Sequence, residues 1–224
     1  MSEQTIEIPA PPVRLTGDLI IPDRPGGLVI FAHGSGSSRL STRNRQVAAS
    51  LNERRLATLL FDLLSPDEEA DRANVFDIEL LSRRLLAATR WVLEDPECSR
   101  LPLGYFGAST GAAAALCAAA ELGHGVRAVV SRGGRPDMAG PCLDEVTAPT
   151  LLIVGGNDRA VLELNESAAE ALRCPHELSI VPGATHLFGE PGALDQVCGL
   201  AGDWFTDHLS DPPSPPDSPA DRRG

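Results

Sequence analysis

The sequence predicts an α/β protein whose mainly parallel sheet is flanked by helices. Two observations carry this expectation. Short apolar runs alternate with stretches of helical periodicity along nearly the whole chain. The composition, 42% hydrophobic and 22% charged over 224 residues, is that of an ordinary globular protein. One domain over residues 1–209 is the better count, because no repeat or composition break divides them.

The elements follow in chain order. Glu3–Ile8 and Val13–Ile21, separated by Pro9-Ala10-Pro11-Pro12, form an antiparallel hairpin at one sheet edge. Leu28–Ala32 is a continuous apolar run ending at His33-Gly34, as a strand buried on both faces should be. Arg43–Arg54 is an amphipathic helix, and Ala57–Phe61 is the next strand, closed by Asp62. Phe76–Leu93 has helical spacing and stops at Asp95-Pro96. Leu103–Phe106 is a short strand, followed by the alanine-rich helix Thr110–Leu122. Val126–Ser131, Thr150–Val154 and Glu177–Val181 are further strands, and helices Val161–Arg173 and Ala193–Leu209 complete the alternation. Residues 210–224, rich in proline, lack apolar side chains able to offset the entropy of ordering, which predicts a disordered tail.

Charge and composition narrow the function. The net charge is -12, so there is no general electrostatic reason to bind nucleic acid or an anionic membrane. All 19 basic residues are arginine, which removes Walker-type phosphate binding, Schiff-base chemistry and Ser-Lys hydrolysis. Met1–Pro25 has no signal-peptide pattern, and no apolar run is long enough to span a membrane. Five cysteines without a CxxC pair predict buried or incidental thiols in a reducing cytoplasm. The five histidines show no HxxxH spacing, so no metal is expected.

The strongest local signal is Gly107-Ala108-Ser109-Thr110-Gly111, a G-x-S-x-G sequence between a strand and a helix. Such a turn strains the serine backbone and presents its hydroxyl beside a helix N-terminus. Serine needs a base and an orienting acid. Asp158 follows one strand in Gly155-Gly156-Asn157-Asp158, and His186 follows another in Pro182-Gly183-Ala184-Thr185-His186. Taken singly, Asp158 is equally a turn former or helix N-cap, and His186 a solvated loop histidine. Together they stand in the order Ser, Asp, His at predicted strand ends. An oxyanion hole would use the Thr110 amide and, from the His33–Ser38 loop, the Ser35 amide. His33 itself is expected to brace neighbouring loops.

HGSGSS after a strand, GASTG, GGNDRAV and GATHLF together resemble the dienelactone-hydrolase-like branch of the α/β-hydrolase superfamily, over about residues 5–209. The resemblance implies an eight-stranded, mostly parallel sheet with Ser109 as nucleophile, His186 as base and Asp158 as acid. Dienelactone hydrolases carry a cysteine where Ser109 stands, and a glutamate in the region of Gly34 and Ser35. A cofactor-free serine esterase is therefore expected, cleaving small to medium carboxylic esters. The segment between Val130 and Pro149 is too short for a cap domain. Arg132 and Arg135 beside Gly133-Gly134 are candidates for clamping an anionic substrate group, or for bracing their loop by salt bridges.

Two other classes stay open. A catalytically silent ligand-binding protein would have the same fold. A dinucleotide-binding domain would use Gly34-Ser35-Gly36 and place a ribose hydroxyl on Asp62, but it leaves Ser109, Asp158 and His186 unexplained.

Overall fold

The computed structural model describes residues 1–209; the predicted tail lies outside the described residues. Eight strands form one sheet in the order β1-β2-β4-β3-β5-β6-β7-β8. They are β1 (Ser2–Ala10), β2 (Val13–Ile21), β3 (Gly27–Ala32), β4 (Leu56–Phe61), β5 (Leu103–Ala108), β6 (Ala128–Arg132), β7 (Thr150–Gly155) and β8 (His176–Val181). β1 pairs antiparallel with β2, and β2 with β4; every later pairing is parallel.

Parallel pairing points the carboxyl ends of β3 to β8 at one edge, where connecting loops collect. β3, β4, β5, β6 and β7 are buried at every residue, which explains their continuous apolar runs. The principal helices are α1 (Thr42–Glu53), α2 (Pro66–Glu69), α3 (Arg72–Val75), α4 (Ile78–Glu94), α5 (Thr110–Leu122), α6 (Arg159–Ala171) and α7 (Ala193–Leu209). One core cluster joins α4 and α5 to the hairpin strands, and includes Leu85, Leu116 and Tyr105. The second lies on the other face under α1 and α7, and includes Val47, Phe106, Val130, Phe188 and Phe205.

Several boundaries differ from the sequence reading, each for a local reason. The hairpin pairs through to Ala10 opposite Val13, leaving only Pro11-Pro12 as the turn. The helix predicted from Phe76 starts afresh at Ile78, because the Asp77 side chain accepts the Leu80 N–H at 2.9 Å. Ahead of it, Ser65-Pro66-Asp67-Glu68 forms a reciprocal capping box that starts α2. Arg84 of α4 then pins α2 to the hairpin: it donates to Glu68 at 2.5 Å and to the Ala10 carbonyl.

Three of the five cysteines, Cys98, Cys174 and Cys198, are buried thiols as expected. Cys117 and Cys142 are instead joined in a disulfide, which corrects the all-thiol expectation. The 3₁₀ segment Pro136–Glu145 packs against α5 and brings the two Cα atoms to 5.2 Å, a proximity that a spacing of 25 residues does not disclose. This segment covers part of α5 and α6 but builds no several-helix cap.

His33 ties the carboxyl ends of β3 and β4 together. Its Nε2 accepts the Leu63 N–H at 3.0 Å, so Nδ1 carries the proton and donates to the Gly34 carbonyl at 3.0 Å. Burial holds its pKa below the usual histidine value. The neutral ring is therefore the folded form, while the unfolded chain protonates near pH 6.5. Stability is accordingly full above that pH and declines as pH falls below it, until the depressed folded value is passed. Urea unfolding between pH 7.5 and 5 should show this decline, and His33→Gln should flatten it; parallel pH profiles for the two proteins would refute the assignment.

Candidate active site

Ser109 links β5 to α5 with φ 51° and ψ -122°, a conformation that costs a non-glycine residue on the order of 1–3 kcal/mol. Its neighbours explain how the turn is accommodated. A Cβ on Gly107 would lie 2.4 Å from the Ala112 Cα, and one on Gly111 would lie 2.2 Å from the Ala32 carbonyl oxygen. Both glycines are therefore spatial requirements of the motif. The Ser109 N–H donates to the Arg132 carbonyl at 3.2 Å, and its own carbonyl accepts from Ala112 and Arg135 amides at 3.1 and 3.0 Å.

Asp158 and His186 come together from different loops. The Asp158 carboxylate Oδ2 accepts from His186 Nδ1 at 2.7 Å, leaving Nε2 as the other ring nitrogen. Asp158 stands at the N-cap position of α6 but makes no side-chain cap bond, so its carboxylate serves the histidine instead. Backbone and side chain of Asn157 stitch the two loops, donating to the Ala184 and Gly183 carbonyls at 2.9 and 2.8 Å. Phe188, buried two residues beyond His186, anchors the histidine loop in the core. The His186 side chain remains 39% exposed, whereas that of Asp158 is 16% exposed.

The loop after β6 lies between the serine and the histidine. It holds the Ser109 backbone through Arg132 and Arg135, and a Cβ on Gly133 would sit 3.2 Å from the His186 carbonyl oxygen. Buried Asn165 of α6 fastens this loop by donating to the Gly134 carbonyl at 3.0 Å. No motif marked Asn165; its place on the buried i, i+4 face of α6 after Val161 was the available signal. Ser109 Oγ makes no hydrogen bond among the described residues, so the serine–histidine contact is not formed in this structure.

Two groups singled out in the sequence are already engaged. The Ser35 amide does not stand free: it donates to Thr110 Oγ1 at 3.0 Å, a hydroxyl that the helix start places within reach. Arg135 does not stand free either. Its Nε and Nη2 both donate to Asp137 at 2.8 Å, the bidentate geometry of a brace. Arg132, expected just beyond a strand, is the last residue of β6, and that position turns its side chain toward the core of one sheet face. Asp62, which the dinucleotide reading needed, spends both carboxylate oxygens on Arg39 at 2.8 and 2.5 Å.

Beside Gly34, Ser35 and Thr110 opens a cavity of about 520 Å³, counting its mouth, walled by Leu63, Leu64, Val75 and Leu81. The sequence reading did not locate it, because α2 and α3 form its wall and neither was foreseen. Among the described residues no cluster of three or more His, Cys, Asp or Glu could hold a metal ion, and no helix is long and apolar enough to cross a membrane.

Known proteins share this arrangement of elements. The solved dienelactone hydrolase from Anabaena variabilis is 52% identical over 93% of this chain and 98% of its own, with a TM-score of 0.90. Est1E from Butyrivibrio proteoclasticus, at 17% identity and a TM-score of 0.78, shares the fold over 92% of this chain and 98% of its own. Two curated Mycobacterium tuberculosis proteins, each named "Putative phosphoribosyl transferase", are 58% identical over 212 residues, 95% of this chain and 48% of theirs. This chain thus spans about half the length of those relatives. The dienelactone hydrolase family model matches residues 45–197. With that match, an eight-stranded sheet and a G-x-S-x-G turn at its carboxyl edge, the chain belongs to the dienelactone hydrolase family of α/β-hydrolases.

Proposed function

We propose that the chain is a serine esterase that hydrolyses carboxylic esters through an acyl-enzyme on Ser109. The observation that carries this reading is the strained Ser109 turn on the same sheet edge as an Asp158–His186 pair already bonded at 2.7 Å. The Anabaena relative is itself described as a dienelactone hydrolase, which supports hydrolytic chemistry. The transferase name belongs to proteins of which this chain spans about half.

The chemistry follows from the geometry. In the reactive arrangement Oγ meets Nε2, which takes the hydroxyl proton as Oγ attacks the ester carbonyl. Asp158 holds Nδ1 protonated, which leaves Nε2 as the acceptor, and stabilises the imidazolium that forms. The developing oxyanion meets the Thr110 amide, which has no partner along its own helix because it lies in the first turn. The Ser35 amide joins it once Thr110 Oγ1 turns away. Return of the proton from Nε2 expels the alcohol, and water repeats the sequence to release the acid.

Ser35 and Thr110 line the apolar cavity, so the acyl chain enters it. Its narrow, leucine-lined interior suits a short or medium chain. The substrate is a small molecule, and the esterase reading calls for no cofactor.

Two measurements test this reading. Ser109→Ala and His186→Ala should each lower kcat for a butyrate ester by several orders of magnitude, with the double variant scarcely worse, and Asp158→Asn should also be severe. Wild-type turnover by Ser109→Ala would refute the nucleophile. For the cavity, Val75→Trp should fill the partly exposed wall. It should cut kcat/KM for hexanoate relative to acetate at least tenfold, since each methylene is worth about 1–3 kcal/mol of discrimination. An unchanged chain-length profile would place the acyl group elsewhere.

A further inference from the structure

Several arginines are matched to carboxylates. Arg39 pairs with Asp62 and Asp18, Arg45 with Asp18, and Arg135 with Asp137. Arg132 is different. Only 7% of the residue is exposed, yet among the described residues its guanidinium has no hydrogen bond or ion pair, and Nε and Nη1 are fully buried without a partner. Its guanidinium carbon lies 5.9 Å from the centroid of the Phe188 ring. The charge that acts on it is another cation, Arg43 in the first turn of α1, which also has no carboxylate partner among the described residues.

A buried unpaired guanidinium is costly, and placing a second cation beside it adds repulsion. Burial and Arg43 together pull the Arg132 pKa down to about 10, so the group is still charged at neutral pH. The protein carries a net charge of -12, yet no carboxylate has been spent on this pair. Such an arrangement is relieved by an anion that enters and leaves.

Its position relates this anion to catalysis. The Arg132 carbonyl accepts the Ser109 N–H, and Phe188 lies two residues from His186. Phe188 and α1 belong to one face of the sheet, while the leucines of the apolar cavity belong to the core of the other. Resting on the ester-hydrolase reading above, we propose that Arg132 and Arg43 bind a phosphate group carried on the alcohol portion of the ester, opposite the acyl cavity. The charge count selects the ligand. A phosphate monoester carries about -1.5 to -2 charge and three acceptor oxygens, enough for two guanidinium forks, whereas a carboxylate neutralises only one.

The test uses the full chain and three butyrate esters: para-butyryloxyphenyl phosphate, para-butyryloxybenzoate and neutral para-butyryloxybenzamide. The phosphate ester should exceed the neutral one in kcat/KM by about tenfold or more at low salt, and added salt should erode the gap. Arg132→Gln and Arg43→Gln should each bring that ratio close to one. Arg43 is partly exposed, so its variant remains informative if the buried Arg132→Gln fails to fold. Calorimetry with inorganic phosphate reads the site without turnover, and either variant should weaken binding at least tenfold. Arginine-dependent phosphate binding without Ser109-dependent ester cleavage would uphold the site and refute the esterase. Ester cleavage with no phosphate preference, equal preference for the benzoate, or phosphate binding indifferent to both arginines would overturn the phosphate site.

Discussion

The backbone of α5 approaches the ends of β3 and β5 so closely that a single methyl group would not fit between them. A Cβ on Gly111 would stand 2.2 Å from the Ala32 carbonyl oxygen, inside any allowed contact. That closeness leaves the chain only a sharp turn from β5 into the helix, and the turn is what holds Ser109 at positive φ. The helix permits the approach because its buried residues are small: Ala112 to Ala115, Ala118 and Ala119 are essentially inaccessible to solvent. An alanine-rich helix with no polar face would be unstable in water alone. Here its burial against the sheet and the Pro136–Glu145 segment offsets the strain stored in one residue.

The same edge is organised by which side chains are already occupied. Asp62 is saturated by Arg39, and Asp137 by Arg135, so neither carboxylate competes for the histidine. Asp158 gives up the N-cap role that its position offers and is left to hold His186. His33, although on the loop after β3 beside Ser109, is fully engaged by Leu63 and Gly34 and held neutral, so it has no free nitrogen for proton transfer. Among the described arginines, Arg132 stands out as a guanidinium buried without a carboxylate.

Much of this architecture was readable because it depends on short-range rules. Continuous apolar runs marked the strands buried on both faces, and G-x-S-x-G between strand and helix marked the turn. The placement of Asp158 and His186 just beyond strands was likewise local, and their pairing followed from parallel strands sharing a carboxyl edge. Boundaries shifted where one side chain outbid the periodic pattern, as Asp77 did by capping Leu80 and starting at Ile78 the helix expected from Phe76. The capping box that starts α2 was present in Ser65-Pro66-Asp67-Glu68, but it was hidden by the absence of an apolar run after it.

The sequence by itself determined the order of strands and helices, the strained serine turn and the chain order of serine, acid and histidine. Each of these rests on backbone sterics or periodicity within a few residues. Only the tertiary structure decided how side chains were partnered. Arg132 and Arg135, three residues apart, looked interchangeable in the sequence; one proved to be braced by Asp137 and the other buried without a carboxylate. The engagement of the Ser35 amide by Thr110 Oγ1, the Cys117–Cys142 bond and the grip of Asn165 on Gly134 were equally invisible. A side chain's partner is set by which element packs across from it, and residues brought together from 25 to 75 positions apart leave no local trace in the chain.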